Sequence, residues 1–287
     1  MLRIICEVLG CKSEDIKDIA VLHGGFTNNS YIFSVNSEKF VFRAPGKKTE
    51  EIINREHEYK SLKLVKELGI DTSCIAMNPH HGWKISKFLD NCYIPDYQNF
   101  NDSRLVIKKL KELHNKMAHV DWSFDPLADV VFMEKQVVGK YNVDQKLKND
   151  VQTIYRSIKN DNVIEKIFCH CDIYNANFLI NKETKEVHLL DWEYAGESDP
   201  AIDVAYYIVD AMYEFKDAIR FIKEYTQNDD DTILRHYLAY IPIIAYYWYI
   251  WGMYRESCGS VIGEVIDNWK YMADKYSCYY LEQWYAK

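Results

Sequence analysis

The chain has 287 residues, 48% of them hydrophobic and 15% aromatic, with a net charge of −8 at pH 7. That apolar content excludes a disordered chain and suffices for one large domain or two lobes sharing a cleft. The acidic balance argues against a general nucleic-acid binder; it fits a cationic substrate, but most acidic proteins use such charge simply for solubility. The eight cysteines, at 6, 11, 74, 92, 169, 171, 258 and 278, form no Cys-x2-Cys pair and read as reduced thiols of a cytoplasmic protein. Cys169 and Cys171 flank a histidine, a span too short to wrap a tetrahedral zinc. The N-terminal apolar run breaks by Glu7, too soon for a signal peptide.

Ser13 to Ile19 is a short lead-in. Tyr31–Val35 and Lys39–Arg43 have the β-branched and aromatic content of strands, with Asn36-Ser37-Glu38 as the hairpin between them. Ahead of them, Gly24-Gly25-Phe26-Thr27-Asn28-Asn29-Ser30 is a loop able to fold over a triphosphate with backbone N–H groups and short side chains. Two glycines in isolation more often mark a simple turn. No Gly-x4-Gly-Lys-Ser/Thr loop is present. Glu50 to Leu68 reads as a helix closed by Gly69, carrying Glu56 and Glu58 on different faces. After Trp83–Leu89 the pattern changes from strands to helices, which places a hinge near Lys87-Phe88-Leu89. Helices follow over Ser103–Met117, Met133–Gly139 and Val143–Ile158. Asp199 is the expected N-cap of a later helix, with Pro200 in its first turn and Asp203 behind it. The last helices run over Asp231–Glu256 and Gly263–Lys287. Tyr237–Tyr254 carries no Asp, Glu, Lys or Arg, a borderline membrane length. Pro242 and aromatics spread throughout, instead of at the ends, make it a buried helix and not an anchor.

The chemistry concentrates between these halves. Phe178–Ile180 and Val187–Leu190 read as strands around the polar turn Asn181–Glu186. Asp172 and Asn177 lie on the loop before this hairpin; Asp191 and Glu193 lie just after it. Phosphoryl transfer uses such a set: one carboxylate orients the attacking hydroxyl, and Asp and Asn oxygens hold magnesium.

The pattern His170-x-Asp172-x4-Asn177, followed by Asp191, resembles the protein-kinase-like phosphotransferases. The wording Asp172-Ile-Tyr-Asn-Ala-Asn177 and Leu190-Asp-Trp-Glu-Tyr-Ala-Gly196 is similar to the choline and ethanolamine kinase family, in particular bacterial choline kinases of the LicA type. The resemblance implies an α+β, bilobal protein-kinase-like fold, with an antiparallel nucleotide-binding lobe over 1–89 and a mainly helical lobe over 90–287. It implies ATP and Mg2+ as cofactors, Asp172 as catalytic base, and Asn177, Asp191 and Glu193 around the metal. Arg43 and the glycine loop (Gly25, Thr27, Asn28, Asn29, Ser30) would meet the phosphates. Glu56 would pair with Arg43, with Glu58 as its rival, and Lys87, Phe88 and Leu89 would meet the adenine edge. Asp203 matches an acid that braces the His-x-Asp loop. Trp248 and Trp251, with Tyr194 and Tyr271, correspond to a cage for a trimethylammonium group; core packing is the competing role for these rings.

The reaction this implies is ATP-dependent phosphorylation of choline, a small-molecule substrate, with no nucleic-acid or membrane partner. Ethanolamine and aminoglycosides are the rival acceptors, and a ligand-binding protein without catalysis is the rival outside enzymes.

Overall fold

The computed structural model describes residues 1–22, 27–137, 141–159 and 163–285. The chain forms α1 (Leu2–Leu9), β1 (Lys17–Leu22), β2 (Asn28–Val35), β3 (Glu38–Pro45), α2 (Arg55–Glu67), β4 (Cys74–Met77), β5 (Lys84–Lys87), β6 (Cys92–Tyr93) and α3 (Phe100–His114). Then come α4 (Pro126–Gln136), α5 (Gln145–Ile158), β7 (Ile167–Cys169), β8 (Phe178–Asn181), β9 (Val187–Leu189), β10 (Gly196–Ser198), α6 (Ala201–Asp210), α7 (Phe215–Thr226), α8 (Asp231–Ser257) and α9 (Val265–Tyr280). The α+β class expected from the sequence holds. Two compact units emerge, Met1–Ile94 with Ala176–Tyr194, and Pro95–Asn175 with Ala195–Lys287. The first unit therefore runs past residue 89 and includes the hairpin that follows Asp172 and Asn177.

In the first unit, antiparallel strands lie in the order β1-β2-β3-β5-β4. The β2–β3 turn is tighter than the three-residue one expected. Val35 pairs with Glu38, and Asn36 and Ser37 both take positive φ, 51° and 67°, as a two-residue turn matching the strand twist requires. Phe33, Val35, Phe40, Phe42 and Ile85 form the core with Ile5 and Ile16; Ile5 comes from α1, a helix the sequence reading passed over. Helix α2 begins five residues later than expected. The Asn54 side chain accepts from Glu56 N at 3.0 Å and His57 N at 3.2 Å, and this N-cap sets the helix start. A second sheet, β6-β8-β9, carries the hairpin.

In the second unit, α8 is buried on all sides from His236 to Arg255 and packs on α4, α5, α6 and α9, the state of a helix apolar all round. Among the described residues no helix is long and apolar enough to cross a membrane. Gly252 in α8 lets α9 approach at backbone distance: a Cβ there would lie 2.7 Å from Ile266 Cγ1. Helix α6 starts one residue later than expected, at Ala201. Asp199 still serves its start, accepting from Ala201 N at 2.8 Å, and its other oxygen receives His236 Nε2 of α8 at 2.7 Å. The expected 133–139 helix is α4, displaced toward the N-terminus by Pro126 at its first turn and the Asp125 cap.

Candidate active site

Strand β3 delivers Arg43, and β5 delivers Lys84 directly opposite it in register. Cross-strand partners share a sheet face. Helix α2 supplies Glu58 and Arg55, and the residues after β9 supply Asp191 and Glu193. Arg43 NH2 bonds Glu58, and its NH1 bonds Asp191 and lies 3.3 Å from Glu193 Oε2. Lys84 Nζ is 3.1 Å from Asp191 Oδ1 and 3.4 Å from Glu58 Oε1. Arg55 NH1 reaches Glu58 at 2.7 Å and Glu193 at 2.8 Å. Three cations thus interlock with three carboxylates. Burial alone would push Arg43 and Lys84 down and Glu58 up. The opposite charges outweigh it, holding both cations above their ordinary range and Glu58 below the usual carboxylate range.

Glu193 is held from both sides. Thr27 Oγ1 donates to its Oε1 and Asn28 Nδ2 to its Oε2, each at 2.9 Å. Its side chain is 1% exposed, against 28% for Asp191. Asp191 has a left-handed backbone, φ 68°, which aspartate tolerates better than most residues. Between them, Trp192 is anchored by its indole N–H to Asp71 Oδ2 at 3.0 Å. Leu190 N donates to Asn177 O at 2.9 Å, so Asn177 and Asp191 sit at the same end of the hairpin. Gly46, just past β3, has a close-approach role. A Cβ there would stand 1.9 Å from Thr27 O, so only glycine admits Thr27 at this position.

Several expected placements change. The ion-pair partner of Arg43 is Glu58; Glu56 is exposed. Asn28, Asn29 and Ser30 belong to β2, paired with Pro45, Ala44 and Arg43, and are not loop residues. Gly25 lies outside the described residues. The amide of Lys87 donates to Ser73 O at 2.9 Å and that of Phe88 to Lys39 O at 3.0 Å, so these two N–H groups are paired within the first unit. Leu89 is half-buried. Sequence reasoning missed Lys84 and Arg55. The alternation Lys84-Ile85-Ser86-Lys87 hinted at two lysines on opposite faces, but not which of them turned inward.

The loop carrying Asp172, expected to be catalytic, belongs to the second unit as far as Asn175. Asp203 braces it: its carboxylate accepts His170 N at 2.9 Å, Cys171 N at 2.7 Å and His114 Nε2 at 2.9 Å. Burial opposes the charge on Asp203, yet these donors hold its carboxyl below the ordinary range. Cys171 takes φ 65°, and the Asp172 amide donates to His170 Nδ1 at 3.2 Å. Further along, the Asn175 amide donates to Tyr97 OH at 2.9 Å and Asp210 Oδ2 at 3.3 Å, and Tyr97 OH donates to the same carboxyl. Burial pushes Asp210 up to about 7, against the Asn175 amide.

Trp248 and Trp251 meet edge to face at 5.1 Å, Trp269 closes the group at 6.0 and 6.1 Å, and Tyr206 stacks on Trp248 at 4.6 Å. Tyr271 is not among them. It is 53% exposed, with Lys275 Nζ 5.4 Å from its ring centre; Trp269, two residues earlier on α9, holds the inward place. Tyr194 is buried at the end of the first unit.

Residues 19–280 match the family model described as choline/ethanolamine kinase. The chain belongs to the choline/ethanolamine kinase family. Within that family, Protein LicA of Haemophilus influenzae is 24% identical over 257 residues, covering 84% of this chain and 74% of that one. The crystal structure of choline kinase LicA from Streptococcus pneumoniae aligns with TM-score 0.82 at 21% identity, over 96% of this chain and 97% of that chain. A crystal structure of LicA in complex with AMP aligns at 0.81 and 22% identity, over 97% and 98%. These likenesses give the fold as that of protein-kinase-like choline kinases, and the chain is a kinase of this family. The donor set suits a hard divalent cation. Asn177 and Asp191 offer the hard oxygens magnesium prefers, and Asp191 is partly open. Glu193 has hydrogen-bond donors on both carboxylate oxygens, and its carboxylate also groups with those of Glu58 and Asp191 closely enough to share one ion.

Proposed function

We propose that this kinase transfers the γ-phosphoryl group of ATP to the hydroxyl of choline. The observation that carries this reading is the Arg43–Glu58–Asp191 constellation, in a chain whose Asp172 loop is braced at its back by Asp203. Asp172 takes the hydroxyl proton as the new P–O bond forms and the bond to ADP breaks. Glu58 holds one arm of the Arg43 fork, which sets the other arm, beside Asp191, to meet phosphate. Asn177 and Asp191 are the residues that would hold magnesium, which when bound neutralises phosphate charge. Glu193 keeps Thr27 and Arg55 in place beside Arg43.

The choice of choline over ethanolamine rests on the rings. A trimethylammonium group donates no hydrogen bond, so aromatic faces and carboxylates are its available partners, and the Trp248–Trp251 pair supplies such faces in the second unit. Each ring is worth ~0.5–2 kcal/mol, so two give discrimination of about tenfold or more. The test is a specificity constant for choline, ethanolamine, thiamine and kanamycin with Mg-ATP, in the wild type and in Trp251→Ala. Choline should be best, and Trp251→Ala should lose choline more than ethanolamine. A higher constant for kanamycin would assign an aminoglycoside acceptor. Absence of ATP turnover with every added alcohol would assign a ligand-binding protein.

A further inference from the structure

Lys84 stands where a lysine is costly. It is buried, and it lies directly across the strand pair from the equally buried Arg43; like charges so placed repel. Its ammonium shares Asp191 Oδ1 with Arg43 NH1. That oxygen belongs to the carboxylate assigned above to magnesium. We propose that Lys84 is a placeholder for the metal: it holds Asp191 while no nucleotide is bound, keeps bare divalent cations out, and yields the oxygen only to a metal that arrives with nucleotide. The proposal rests on the reading that Asp191 is the metal ligand.

The charge balance gives the reason. Arg43, Arg55 and Lys84 offset Glu58, Asp191 and Glu193, so the cluster is neutral without ligand. A bare divalent cation at Asp191 would add two positive charges beside the buried Arg43 and Lys84 and the half-buried Arg55, in a region where charges act at low dielectric. Mg-ATP adds net negative charge instead, and the displaced ammonium then has phosphate oxygens to meet. A lysine suits this exchange better than an arginine, since its compact charge rides on a flexible stem, whereas the planar fork of Arg43 stays engaged with Glu58. Lys84 is thereby a positioning residue for Asp191 before turnover, with a second contact to phosphate during it.

The experiment measures Mn2+ binding to the intact protein, with and without ADP. Wild type should bind Mn2+ at least about tenfold more tightly with ADP than without it. Lys84→Met should tighten binding of Mn2+ alone by about tenfold and raise the KM for Mg-ATP; Lys84→Arg should restore exclusion of the bare metal. A merely structural lysine would lower thermal stability and leave Mn2+ affinity unchanged or weaker in Lys84→Met, and that result overturns the proposal. Equal Mn2+ affinity of wild type with and without ADP overturns it as well, without recourse to any variant. The double variant Lys84→Met/Asp191→Ala separates the two ideas. Loss of the gained Mn2+ affinity supports both. Its persistence shows that another group binds the metal, and removes the Asp191 assignment itself.

Discussion

Arg43 uses both ends of its guanidinium fork on carboxylates, and the residue that fixes it is Glu58, wholly buried between Arg43, Lys84 and Arg55. Glu58→Gln should therefore do two things. It leaves three cations short of a partner, at a cost of ~3–5 kcal/mol in a urea melt, and it raises the KM for ATP by freeing the fork. Glu56→Gln, on the exposed face, should change neither; an ATP effect from it equal to that of Glu58→Gln would return the pairing to Glu56. The sign of the pH dependence follows from the same contacts. Glu58 is held below the usual carboxylate range, so its stabilisation is present above the unfolded carboxylate's pKa and is lost as pH falls through the folded one. Both glutamates were visible in the sequence. Their two-residue offset on a helix makes them alternatives, and only the phase set by the Asn54 cap decides between them.

At the scale of elements, a turn and a loop carry the site. The Arg43-Ala44-Pro45-Gly46 ending of β3 is legible as a motif, but its physical content is the contact of Gly46 with Thr27 O. Gly46→Ala should push Thr27 away, break its bond to Glu193 and raise the KM for ATP several-fold, with the choline KM little changed. An unaltered ATP KM would show that Thr27 can shift without consequence. In the His170–Asn177 loop, Asp172 and Asn177 are singled out in the sequence by their resemblance to the family's motif. The supports were only partly legible: Asp203 was balanced between brace and first-turn acid, and the Tyr97–Asp210 pair on Asn175 was invisible, because 78 residues separate Tyr97 from Asn175. Burial raises Asp210 to about 7, so the folded protein favours its neutral form. Stability from this group is complete below the unfolded carboxylate pKa and declines as pH rises through about 7. Asp210→Asn should flatten that decline between pH 5 and 8, seen as a thermal midpoint that no longer falls across the interval. A decline of wild-type size in the variant would assign the dependence to other groups.

On the scale of the whole chain, the order of elements was easier to read than their grouping. Strands and helices announced themselves by composition, and the change of pattern near residue 89 suggested a simple cut between an N-terminal lobe and the rest. The first unit is instead discontinuous, Met1–Ile94 completed by Ala176–Tyr194, and no local pattern marks a hairpin as pairing with a strand far back in the chain, as Ile180 of β8 pairs with Tyr93 of β6. The apolar cluster from Ile5 to Ile85 lies in the first segment, and the second adds buried apolar side chains of its own, Phe178, Ile180, Leu189 and Trp192. The unit's buried charges are divided between the two. A fragment of residues 1–94 keeps Arg43, Arg55 and Lys84 but retains only Glu58 among their carboxylates, since Asp191 and Glu193 come from the hairpin. Uncompensated buried charges cost ~3–5 kcal/mol for each broken pair, against a total stability of ~5–15 kcal/mol for an ordinary domain. The fragment 1–94 should thus show no cooperative urea transition. Joining residues 176–194 to it through a flexible Gly/Ser linker should restore one, and Asp191→Ala/Glu193→Ala in the joined chain should abolish it again while leaving every apolar core contact in place. A cooperative transition for 1–94 with the same midpoint as the joined chain would show that the core alone holds this unit and that the carboxylates of the hairpin serve the reaction only.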